Sequence, residues 1–187
     1  MTIRRHTLGL LAVPLLLAGC AGAQADTTAA HSAHSGHAAA ATSADGPPDR
    51  AVMVCTGQVA DGLTQILRLD ARPHTVTDWA DPVYTCTYHL PMGALVLRVN
   101  VSDSDQAAQA FFADRRAEQP QAETLSGLGE QAFRAGDGNV TVVKDDLTLT
   151  VDATALPETF GDNGQRRSAF AFEVASQVMG CWTEHGG

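Results

Sequence analysis

PVYTCTYHLPMGALVLRVNVS, residues 82–102, alternates twice. Tyr84, Cys86 and Tyr88 are interleaved with Val83, Thr85 and Thr87, and further on Leu95, Leu97, Val99 and Val101 with Val96, Arg98 and Asn100. A period of two puts every second side chain on one face of a strand. Pro91-Met92-Gly93 between the two runs has the composition of a tight turn, so the stretch predicts an antiparallel hairpin.

Working outward, the period changes. RAVMVCTGQVADGLTQILRL, residues 50–69, sets Val52, Cys55, Val59, Leu63, Ile66 and Leu67 at steps of three and four. That is an amphipathic helix, and Asp49 can cap it. Downstream, Ser104 is a good cap for DQAAQAFFADRRAE, where Ala108, Phe111, Phe112 and Arg115 trace one face and Pro120 stops the helix. QAFRA, NVTVVKD and LTLTVDAT then read as three more strands, separated by Gly136-Asp137-Gly138 and Asp145-Asp146. RRSAFAFEVASQVMGCW gives a last helix with Phe170, Val174 and Val178 in register. No repeat is evident. The order predicts an α+β fold, an antiparallel sheet of about five strands with three helices packed mainly on one face. An open sandwich with the helices at its ends is the other arrangement.

The N-terminus carries an address. Arg4 and Arg5 precede an apolar run from Leu8 to Ala18, and Leu17-Ala18-Gly19-Cys20 follows the layout of a secretory signal. The run is about half the ~20 residues that a membrane-spanning helix needs. Ala-Gly directly before a cysteine resembles the lipobox of bacterial lipoproteins. The resemblance implies that the Cys20 thiol is acylated and the chain cut before it, leaving a lipid anchor on the extracytoplasmic face of the cell membrane. Arg4-Arg5 also fits a twin-arginine signal, although Thr7 departs from it, and the export route stays open. The division expected is a leader over 1–19, a tether over 20–49 and one domain over 50–187.

After Cys20 the tether is mostly Ala, Thr, Ser, Gly, Asp and His, with Pro47-Pro48 near its end, no aromatic residue and no apolar period. Such a segment buries too little surface to offset its chain entropy, so it is expected to act as a spacer. Within it His31, His34 and His37 recur every three residues, and imidazole is a common ligand for copper and zinc. Weak capture of either metal is the alternative role, with no other cofactor indicated. The net charge of −9, which deepens once Arg4 and Arg5 leave with the leader, argues against nucleic acid as a partner.

Three cysteines remain in the domain, Cys55, Cys86 and Cys181, in an oxidising compartment. Three pairings are open. Cys55 with Cys86 is favoured if the first helix packs on the first strand; Cys55 with Cys181 is its rival if an antiparallel last helix ends beside the first.

Catalytic patterns are weak. GLGEQA, residues 127–132, fits a dinucleotide-binding fingerprint by letter, but a polar loop precedes it and FRAGDGN follows, so it reads as a turn entering a strand. G-x-S-x-G, H-E-x-x-H and P-loop patterns are absent. His74, His89 and His185 could converge only by folding. Asp103 with Asp105 and Asp145 with Asp146 could bind calcium or serve acid and base roles, but caps and turns explain them more simply. Met53, Met92 and Met179 with Cys55 and Cys181 could serve copper(I), against core packing as the default.

The lipobox at Cys20, VMVC ending at Cys55, YTCTY around Cys86, LSGLGEQAF from Leu125 to Phe133, VVKDDLTLTVDA from Val142 to Ala153 and Cys181-Trp182 carry a wider resemblance. On them the chain resembles a group of actinobacterial secreted lipoproteins of unknown function and is similar to the extracellular sensor modules of some mycobacterial kinases. The resemblance implies a small α+β domain with a helix-to-strand disulfide, which would join Cys55 to Cys86. The third domain cysteine departs from its simplest form. The expected protein is a non-enzymatic, membrane-tethered module that binds a partner protein or a cell-envelope ligand; copper or zinc handling is the alternative.

Overall fold

The hairpin forms the middle of a longer meander. In the computed structural model, which describes residues 46–161 and 163–184, β1 (His74–Ala80), β2 (Val83–Leu90) and β3 (Gly93–Val101) run antiparallel. Leu90 pairs with Gly93 across the Pro91-Met92 turn. Gly93 has φ 143°, and a β-carbon there would strike the Ala155 carbonyl oxygen, so this turn requires glycine. β4 (Glu123–Leu125), β5 (Gln131–Arg134), β6 (Val140–Lys144) and β7 (Leu147–Asp152) form a second meander. β3 and β7 join the two into a seven-stranded sheet of order β1-β2-β3-β7-β6-β5-β4. β8 (Thr159–Phe160) and β9 (Gln165–Arg166) pair separately.

The fold is α+β, with seven strands in the sheet where about five are expected. The two additional strands are its edges. β1, HTVTDWA, is mostly exposed, so no apolar alternation marks it; β4 is only three residues long.

The helix expected over 50–69 is divided. α1 (Asp49–Val52) and a 3-10 turn (Met53–Cys55) are separated from α2 (Gly57–Leu67) by Thr56. Thr56 is extended (φ −82°, ψ 169°), and its hydroxyl donates to the Met53 carbonyl at 2.9 Å. Asp49 is the first helical residue, while Pro48 holds the cap position. α3 (Asp105–Ala117) begins as expected, with Ser104 Oγ accepting from the Ala107 N–H at 3.2 Å. α4 (Arg167–Glu184) buries Phe170, Val174 and Val178.

The helices divide between the faces. Leu97, Val99, Val142, Leu149 and Val151 point to the near face, where they share one core with Val59 and Leu63 of α2 and with the buried side of α4. Phe133 and Val143 point the other way, against Ala108 and Phe112 of α3. Two of the three longer helices thus keep to one face, and α3 takes the other. All buried apolar side chains of the described residues lie between Ala51 and Trp182.

Two cross-links close this core. Cys55 and Cys86 form a disulfide (Cα–Cα 5.6 Å) between the 3-10 turn and β2. Beside it the buried Tyr88 hydroxyl donates to the Val54 carbonyl at 2.7 Å. Burial, with smaller contributions from Tyr84 and Cys181, pushes the Tyr88 hydroxyl well above its usual range, so it remains a donor.

Candidate functional site: the far face of the sheet

The strand register aligns far-face side chains into rows. One row runs Ala80, Val83, Asn100, Thr148, Val143 and Gln131, and the next Asp78, Thr85, Arg98, Thr150, Thr141 and Phe133. Beyond them lie Val76, Thr87, Val96 and Asp152, and then His74, His89 and Ala94. α3 packs over β6 and β7. The far face of β1 is exposed, including Val76 at 50 %, the one exposed large hydrophobic side chain among the described residues. Most antiparallel sheets that leave a face to solvent present a polar surface there; this one mixes threonine, histidine and valine.

Where α3 meets this surface, Phe111 and Arg115 face Val83, Arg98, Asn100, Thr148 and Thr150 across a groove of about 240 Å³. Arg98 Nη1 donates to Asp152 Oδ2 at 3.1 Å, and Arg115 Nη1 to Glu118 Oε2 at 2.8 Å. Thr148 is 1 % exposed, and its hydroxyl has no hydrogen-bond partner among the described residues. Burial pushes the Asp152 carboxyl up, but the Thr154 hydroxyl and backbone N–H, together with Arg98, hold it below its ordinary value.

His74 and His89 are cross-strand partners, with ring centroids 5.4 Å apart and planes inclined by 42°. Folding therefore brings together two of the three dispersed histidines; His185 lies outside the described residues. So do Cys20, His31, His34 and His37.

Other sequence candidates have structural surroundings. Arg50 holds both carboxylates of the β6–β7 turn, Nη2 to Asp145 at 2.8 Å and Nη1 to Asp146 at 3.1 Å. Lys144 adds a second contact to Asp145 at 3.1 Å. Asp103 and Asp105 flank the α3 cap. Met53, Met92 and Met179 pack with the core, Cys55 is held in the disulfide, and Cys181 is buried on α4. Gly127 and Gly129 have φ of 76° and 57° in a loop that enters β5, the turn into a strand expected there. Among the described residues no group of three or more His, Cys, Asp and Glu is placed to hold a metal ion, and no helix is long and apolar enough to cross a membrane.

Sequence reasoning passes over Arg98, Arg115 and Thr148 as site residues. Each sits in the expected element, but the groove depends on α3 crossing to the far face, which the period of its apolar residues does not specify.

The chain matches no family model, no curated protein and no solved structure.

Proposed function

We propose that this protein is a lipid-tethered, extracytoplasmic binding module, non-enzymatic, whose far sheet face docks a partner protein or cell-envelope ligand. The exposed face of β1, with Val76 open to solvent between threonine and histidine neighbours, carries the reading. β1 is also an edge of the sheet, and an exposed edge strand offers unpaired backbone groups and alternate side chains to a docking chain. The leader and Cys20 supply the tether, in keeping with the resemblance to secreted lipoproteins.

The test uses protein beginning at Ala21, which retains the entire described core, and isolated cell envelopes. Saturable retention is expected, lowered at least tenfold by Val76→Arg with Thr87→Arg and unchanged by Gln65→Arg on α2. Equal retention of all three proteins would refute the docking surface. For the tether, Cys20→Ala should move the protein from the membrane fraction to the medium; continued membrane association would refute lipid anchoring.

A second reading, copper or zinc handling, gains one observation. The His74–His89 pair places two imidazoles on a rigid surface, and chelation by both rings costs less ordering than capture by a coil. Copper(II) titration into this protein, a variant with His31, His34 and His37 changed to Ala, and a His74→Ala, His89→Ala variant should locate any site. Submicromolar binding lost in either variant would favour this reading over partner docking. Binding weaker than that in all three would remove it.

A further inference from the structure

We propose that the groove between α3 and the sheet binds a small organic anion through its head group and holds a short apolar arm beside it. This rests on the reading of the domain as a binding module and gives its ligand class.

Two arginines from different elements, Arg98 on β3 and Arg115 on α3, line the groove. The guanidinium fork suits carboxylate or phosphate oxygens, and each arginine engages its protein carboxylate through Nη1. Their side chains are 46 % and 47 % exposed, so both can turn toward a ligand. Since each arginine is already paired with a carboxylate, a bound anion is held by the fork geometry of their other N–H donors and not by surplus positive charge.

Thr148 supplies the independent observation. Its residue is 1 % exposed, it lines the groove, and its hydroxyl has no partner among the described residues. Buried hydroxyls in folded proteins are nearly always bonded, and a turn of the Thr148 side chain toward the groove would give this one a ligand oxygen. Val83 and Phe111 make an apolar wall beside these polar groups. The groove, of about 240 Å³, has room for a short-chain acid.

The experiment titrates hexanoate, hexyl phosphate and inorganic phosphate into protein beginning at Ala21, followed by backbone amide shifts. Saturable hexanoate binding is expected, with shifts centred on Phe111, Thr148 and Thr150. Arg98→Gln with Arg115→Gln should weaken it at least tenfold, Thr148→Val severalfold with no fall in thermal midpoint, and Arg134→Gln not at all. Hexyl phosphate should bind at least tenfold more tightly than inorganic phosphate, and its affinity relative to hexanoate identifies the preferred head group. No saturable shift in the groove, or equal affinity in wild type and Thr148→Val, would overturn the site. Equal binding of hexyl and inorganic phosphate would overturn the apolar arm. Val76 does not line this groove, so retention that still depends on Val76 would leave the wider reading standing if the groove fails.

Discussion

The indole Nε1 of Trp182 donates to the Arg50 carbonyl oxygen at 2.9 Å, fastening the last helix to the first. Trp182 is fully buried, and Arg50 also holds the Asp145 and Asp146 turn. The bond therefore connects α1, α4 and the β6–β7 turn. Trp182→Phe removes this donor and leaves unfilled space, and should cost about 2–3 kcal/mol. Chemical denaturation would show the loss as a lower midpoint with an unchanged slope.

The disulfide closes a sequence separation of 31 residues. On the chain-entropy account, Cys55→Ala with Cys86→Ala should lower stability by about 3–4 kcal/mol. Urea unfolding of the variant and wild type measures the difference; a loss below 1 kcal/mol would contradict this assignment.

Thr148→Val should stabilise the domain by about 1 kcal/mol, because it removes a buried hydroxyl lacking a protein partner. Thr141→Val is the contrast. Thr141 is also buried, but its hydroxyl lies 3.4 Å from that of Thr150, so its removal should give no gain. Thermal midpoints of the two variants should move apart.

Asp152 links stability to pH. Its carboxyl is held below the ordinary value, so its contribution is present above the unfolded carboxylate pKa of about 4 and is lost as pH falls through the lower folded value. Asp152→Asn should cost about 1 kcal/mol at pH 7, and the gap from wild type should close below about pH 4. Denaturation midpoints from pH 7 down to pH 2.5 would reveal this.

Alternation and helical period were enough to find the α+β class because Tyr84 and Leu97 face a covered surface, on strands where every second side chain is buried. The same reasoning misses β1, whose Thr75, Val76 and Thr77 belong to an exposed edge and carry no burial signal. It also draws one helix through Thr56, since Val54 and Val59 both reach the core although the backbone changes direction between them. His74 and His89 are separated in sequence by a turn that only strand pairing explains. The groove is less legible still. Arg98 looks like an ordinary solvent-facing strand residue, and Arg115, though on the helix face that Phe111 and Phe112 trace, meets it only once α3 is placed on the far face.

The central claim, that the far face docks a partner, is tested most directly by a photo-crosslinking amino acid at position 76 in living cells, with position 65 on α2 as control. A discrete adduct from position 76, absent at 65 and competed by added soluble domain, is the predicted result. Adducts of equal yield from both positions, or from 65 alone, would contradict it.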